Sequence, residues 1–329
     1  MSGSEGRRSG VLIMGYGGPD SLDAVAPFMR NLTGQEPSEE LLDRVRMRYL
    51  AIGGSSPLTS IAGELAEGLE KALSEEGLDV PVAIGMRYWH PFIAEGVRSL
   101  AEAGVQRVIG VSLSPFEARI TCGAYRIAVE DAIAEYPELE FVEAPSIATL
   151  DEFAELAAAA VAYSAEELDD WSGSLIVFTA HSLPESDLQH DDQYVSGLRE
   201  VVDRVVSFLT LEPGHTVANE PRLPGIEAYG DLTGESPWVF AYQSAGQKPG
   251  PWLGPDIGAV IDAELEGGFN AIRAIPVGFV TDHMETLYDL DIVAAGHALD
   301  IDLEFVRGPV ANAHEHLVKG IVSLVAPLI

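Results

Sequence analysis

Short apolar runs alternate with amphipathic helical stretches along almost the whole chain, and this constrains the fold more than any other feature of its 329 residues. The runs are Val11–Gly15, Val82–Met86, Arg107–Leu113, Glu140–Glu143, Leu175–Ala180, Trp238–Tyr242, Ala271–Val277 and Asp302–Val306. Between them lie helical patterns such as Glu39–Leu50, Ile61–Leu73, Ala94–Ala103, Gln193–Leu209 and Ile257–Glu266. Strands this continuously apolar are buried on both faces, and their alternation with helices predicts an α/β protein with parallel sheets covered by helices. Two four-stranded halves suit the spacing better than one eight-stranded sheet. Thr149-Leu-Asp-Glu152 reads as a capping box opening the second half. Glu212–Pro237 breaks the rhythm: it is rich in proline and glycine, has no periodicity, and reads as a structureless insert.

Composition narrows the function. With 52 acidic against 19 basic residues, the net charge of −33 excludes a nucleic-acid partner and argues against docking on an anionic membrane. The acidity reads either as a solvated surface or as a field that gathers cations. A single cysteine, Cys122, permits neither an intramolecular disulfide nor an iron–sulfur cluster held by several thiolates of this chain. The first ten residues do not resemble a signal peptide, and the apolar stretch Gly320–Ile329 is too short to span a bilayer. A soluble, monomeric protein of a reducing cytoplasm is expected, without stable membrane insertion.

Ligands of such folds bind beyond the carboxyl ends of the strands. Four segments place polar groups there: Met14-Gly-Tyr-Gly-Gly-Pro19, Thr179-Ala-His-Ser-Leu-Pro184, Tyr242–Gly246 with Pro251–Asp256, and Pro276–Glu285. His181 can accept a proton or ligate a metal near neutral pH; equally, it can merely precede a capping box formed by Ser182-x-x-Glu185. Glu285 is ambiguous in the same way, because Asp282-His-Met-Glu285 also reads as a capping box. With Asp289 one turn later, Glu285 presents two carboxylates on one helix face. His283 reads as a capping or solvent-facing residue, and His314 and His316 as surface residues. The glycines around Tyr16 match no phosphate-binding fingerprint and read as backbone freedom around a tyrosine aimed at the cleft.

Together these segments resemble the ferrochelatases from about Val11 to Pro309. The most specific elements are Ala180-His-Ser-Leu-Pro184, Gln243-Ser with Pro251-Trp-Leu-Gly-Pro-Asp256, and Pro276-Val-Gly-Phe with Asp282-His-x-Glu285; Tyr49-x-x-Ile-Gly-Gly-x-Ser-Pro-Leu58 and Pro91-Phe support them. The resemblance implies two Rossmann-like halves of chelatase type, over 10–147 and 148–309, with helix 310–329 packing back on the first and a porphyrin in the cleft. It implies His181 and Glu285 as the catalytic pair, and His181, Glu285 and Asp289 around the metal. Tyr16 is then the axial ligand of the porphyrin iron, and Arg48, Ser56 and Tyr125 are propionate anchors. Tyr16 favours the branch that uses coproporphyrin III. Leu32 and Thr33 stand where some relatives carry adjacent arginines, and Val293 stands where some carry a further acid.

The expected activity is insertion of Fe²⁺ into coproporphyrin III in haem biosynthesis. Iron is a substrate there, no cofactor is required and no iron–sulfur cluster is expected. Partners are the porphyrin, ferrous iron and other enzymes of the haem pathway. The alternatives are a protoporphyrin IX ferrochelatase, another tetrapyrrole metal chelatase, and a non-catalytic haem-binding protein on the same fold.

Overall fold

The apolar runs become the strands of two sheets, each strand within about two residues of its predicted bounds. The computed structural model describes residues 7–188, 192–210, 229–231, 237–246 and 248–329. The chain divides into two units, one of residues 1–152 with 312–329 and one of residues 153–311.

The first unit has a four-stranded sheet of Ser9–Gly15 (β1), Val82–Met86 (β2), Arg107–Ser112 (β3) and Glu140–Glu143 (β4). Their order is β2-β1-β3-β4 and every pairing is parallel, with Ile13 opposite both Ile84 and Val111. All seven residues of β1 are buried, which is why it reads as an unbroken apolar run. Leu12 and Met14 pack with Val97, Leu100, Val108, Tyr125 and Val129 on one side. Helix Glu39–Ala51 begins where Ser38 accepts a hydrogen bond from Leu41 N (3.3 Å), with Glu39 and Glu40 favoured in its positive first turn. The last helix, Glu315–Val325, is capped by His314 and lies against helix Leu58–Glu75.

The second unit pairs Ser174–His181 (β5), Tyr229–Asp231 (β6), Pro237–Gln243 (β7), Ala271–Ile275 (β8) and Glu304–Arg307 (β9) in the order β6-β7-β5-β8-β9. Four of these strands are parallel; β6 runs antiparallel to β7 at the edge. The four parallel strands are the ones expected; β6 adds a short edge to them and corrects the reading of Glu212–Pro237 as structureless throughout. Three residues are too few to show a period of two, so β6 left no pattern to read. Residues 212–228 and 232–236 lie outside the described residues. One face of the sheet packs Leu175, Val177, Val239, Ile272 and Ala274 against Val260, Ile261, Leu290 and Ala298. Helix Asp151–Glu166 starts just after the 3₁₀ turn Ile147–Thr149, in which Thr149 Oγ1 donates to Ser146 O (2.7 Å). Among the described residues no helix is long and apolar enough to cross a membrane.

Candidate active site

In each sheet the first strand of the unit sits between strands reached by crossovers in opposite directions. The carboxyl ends of β5 and β8, and of β1 and β3, are therefore the places where side chains from several segments gather.

His181 is the last residue of β5. Beyond β8, Gly278 N donates to Thr179 O (2.9 Å) and folds the loop over Ala180. A Cβ on Gly278 would lie 2.4 Å from Ala180 Cβ, so only glycine allows the loop this close. The chain then turns into the one-turn helix Met284–Leu287, which carries Glu285 to His181: Oε1 lies 3.3 Å from Nε2. Both capping-box alternatives fail. Glu185 N, which a Ser182 cap would have to receive, donates to Pro251 O (3.0 Å), the Ser182 hydroxyl donates to Leu253 O (2.7 Å), and the short 3₁₀ turn begins beyond Pro184. At the second helix His283 N donates to Thr286 Oγ1 (3.0 Å), which itself donates to Asp282 Oδ1 (2.9 Å). Thr286 closes the helix end one position later than predicted, and the Glu285 carboxylate is left to face His181.

The protonation of this pair follows from its partners. Nδ1 of His181 meets the carbonyl of Ser182, which only accepts, so Nδ1 carries a proton. An ionised Glu285 also only accepts, so Nε2 carries the second. Burial opposes the charge on His181, but Glu285, the Ser182 carbonyl and Asp289 outweigh it and raise the imidazole pKa to about 9. Burial likewise works against the charge on Glu285, and the imidazolium overrides it, holding the carboxyl at about 2. His283 differs: burial lowers its pKa, so the ring is neutral. Its Nε2 lies 3.7 Å from Glu285, its ring meets Phe279 edge-on, and its Nδ1 is buried without a hydrogen-bond partner among the described residues. The solvent-facing reading of His283 is thereby corrected.

The surrounding loops hold the pair. Tyr194 donates to His181 O (2.7 Å), and Gln243 Nε2 donates to Glu285 O (2.7 Å). Ser244, at the unfavourable φ of +62°, donates to Asp289 Oδ2 (2.5 Å). Asp289 opens a π-helical stretch, Asp289–Ala294, in which Val293 N reaches back to Tyr288 O (3.0 Å). Such wide turns recur at functional sites. Val293 itself is exposed. Asp256 caps the helix Ile257–Gly267 through Gly258 N (2.8 Å), and Trp252 donates to Lys248 O (3.0 Å). Gln243 and Ser244 entered the sequence reading only as part of a motif, and Tyr194 and Thr286 gave no signal of their own. Among the described residues no group of three or more His, Cys, Asp or Glu side chains is arranged to hold a metal ion, so His181, Glu285 and Asp289 do not form a closed cage.

In the first unit Tyr16 follows β1 and is 38% exposed. Its ring lies edge-on to Tyr88 (4.8 Å) and Phe28 (6.4 Å), and its carbonyl accepts from Tyr88 N (3.0 Å). Gly17 adopts φ +85° directly against Met86 and Trp89, the backbone freedom that the glycines around Tyr16 suggested. Ser56 packs on Gly18, and its Oγ accepts from Leu58 N (3.4 Å) at the start of helix Leu58–Glu75. Arg48 is exposed on helix Glu39–Ala51. Tyr125 is 3% exposed and belongs to the core, with its hydroxyl 3.1 Å from Ser114 Oγ.

The sequence matches the ferrochelatase family model over residues 8–328. The chain belongs to the ferrochelatase family. It is an enzyme of metal insertion, with a porphyrin and iron as substrates. It is 32% identical to the coproporphyrin III ferrochelatase of Leifsonia xyli subsp. xyli over 96% of this chain and 82% of that protein. It is 30% identical to a ferrochelatase of Herpetosiphon aurantiacus, over 96% and 98% of the two chains. It is also 30% identical to the coproporphyrin III ferrochelatase of Anoxybacillus flavithermus, over 96% and 95%. SirB from Bacillus subtilis with Fe³⁺ shares the fold: the TM-score is 0.51 at 13% identity, over 97% of this chain and 94% of that one.

Proposed function

We propose that this ferrochelatase inserts Fe²⁺ into coproporphyrin III, with the His181–Glu285 pair handling the protons. The observation that carries the reading is the pair itself: an imidazolium and a carboxylate 3.3 Å apart at the switch point of the second sheet. Insertion removes two pyrrole protons and leaves iron in the same oxidation state, so the reaction calls on no redox cofactor. At rest the pair stores one proton. A dication arriving at Glu285 repels the imidazolium and lowers its pKa, so the Nε2 proton leaves by way of Asp289 to solvent; the freed nitrogen then takes the two macrocycle protons one after the other, passing the first out by the same route before it accepts the second. Asp289 adds negative charge beside His181 and offers the next stop for ion or proton. An ion finally held by four macrocycle nitrogens needs transit groups rather than a closed cage of protein ligands.

The substrate choice rests on Tyr16, an exposed phenol at the end of β1, and on relatives named for coproporphyrin III. A phenolate is an established axial ligand of haem iron. Arg48 and Ser56 supply polar groups for propionates, Arg48 by a charge-assisted bond. The core position of Tyr125 leaves only its hydroxyl, paired with Ser114, for such a contact. The test is kcat/KM for Fe²⁺ insertion into coproporphyrin III and protoporphyrin IX side by side. The reading expects a clear preference for coproporphyrin III, and equal efficiency or the reverse preference overturns it.

A further inference from the structure

Arg307, the last residue of β9, is used by none of the chemistry above, yet it holds both flanks of the segment that carries Glu285 and Asp289. Its Nε and Nη2 meet the two carboxylate oxygens of Asp291 at 2.6 and 3.0 Å, a fork-to-fork pair inside the π-helical stretch. Its Nη1 meets Asp282 Oδ1 at 3.2 Å, the same oxygen that accepts from Thr286 at the helix start. The Arg307 side chain is only 13% exposed. Between its two anchors run a single α-helical turn and the start of a π-helix, neither of which is stable without tertiary contacts.

We infer that Arg307 is a positioning residue: it clamps Asp282 to Asp291 and so fixes the angle at which Glu285 meets His181 and Asp289 meets Ser244. The inference rests on Glu285 being catalytic. A lysine replaces its charge but not its reach, because a single ammonium does not present the planar fork that spans two carboxylates.

The test uses the full chain with Arg307→Met, and a second variant combining Arg307→Met, Asp282→Asn and Asp291→Asn. The single variant leaves two carboxylates without their cation, which alone lowers stability; the triple variant removes that charge imbalance. If the clamp positions Glu285, kcat falls about 10- to 100-fold in both variants with the porphyrin KM unchanged, the cost of ångström-scale misplacement. In the triple variant the melting temperature recovers while kcat does not. Hydrogen exchange in peptides covering residues 284–294 rises in both, without change in the helix Leu58–Glu75. Parent-like kcat in Arg307→Met, recovery of kcat together with melting temperature in the triple variant, or unchanged exchange in 284–294 overturns the inference. Should Arg307→Met not fold, Arg307→Lys retains a charge and is expected to show the same exchange increase and a smaller loss of kcat. An inactive parent enzyme would instead refute the functional reading, and the exchange data would still decide whether Arg307 clamps the segment.

Discussion

Replacing Glu285 with Gln removes the charge facing His181 and keeps the size of the side chain. In the native pair the imidazole pKa stands at about 9 instead of 6.5, and the carboxyl at about 2 instead of 4.5. The shift on His181 corresponds to on the order of 3 kcal/mol of interaction, counted once for the pair. A raised histidine pKa stabilises fully below the unfolded value near 6.5 and loses that effect as pH rises through about 9. A depressed carboxyl pKa stabilises above about 4.5 and loses its effect as pH falls through about 2. The native protein should therefore exceed Glu285→Gln in stability most between about pH 4.5 and 6.5, with the gap closing toward pH 9 and above. In the variant only the Ser182 carbonyl and Asp289 remain to oppose burial, so His181 should titrate below 9. Melting temperature across pH 5 to 10 measures the first effect, and an NMR titration of the His181 ring measures the second. A gap that does not change with pH, or a His181 that titrates alike in both proteins, would refute the ion pair. The same substitution should lower kcat at least ~100-fold, as expected for a lost acid–base group.

Ser244→Ala removes the hydroxyl that donates to Asp289 and should raise the KM for Fe²⁺ with little effect on porphyrin KM; steady-state kinetics with each substrate varied would show an unchanged iron KM if Asp289 lies off the ion's path. Gly278→Ala forces a methyl into Ala180 and should destabilise by about 1–3 kcal/mol in urea unfolding, whereas a neutral outcome would mean the loop does not lie on β5. Tyr16→Phe should alter the absorption spectrum of the iron-loaded product more than the insertion rate, and Arg48→Ala should weaken coproporphyrin III binding by roughly 1.5–3 kcal/mol; an unchanged product spectrum would remove Tyr16 from the iron.

The parallel strands were legible because burial on both faces forbids alternation: β1 and β5 are apolar runs that no helix surface would carry. The positions of His181 and Tyr16 at strand ends, and of Glu285 in the segment beyond β8, followed from the same runs. What His181 and Glu285 do was not legible, since Ser182-x-x-Glu185 and Asp282-x-x-Glu285 fit a capping box as well as a site. Three-dimensional partners remove the capping readings: Glu185 N donates to Pro251 O instead of Ser182, and Thr286 instead of Glu285 serves the start of the helix Met284–Leu287. The π-helical stretch carries no composition signal, as it differs from an α-helix in one backbone register. Arg307 clamps residues 25 and 16 positions away, a separation at which no local spacing rule operates. The burial of Tyr125 was legible only in part: the helix Cys122–Ile133 turns its ring into the core, while its hydroxyl remains a polar group beside Ser114.

The most direct test of the central claim is anaerobic mixing of the protein with Fe²⁺ and coproporphyrin III, followed by absorbance, for the native chain and for His181→Ala. The account predicts conversion to the iron porphyrin by the native chain, and none above the uncatalysed background by His181→Ala, with porphyrin binding and melting behaviour retained. Near-normal turnover by His181→Ala would contradict the assignment of the His181–Glu285 pair as the groups that take the protons.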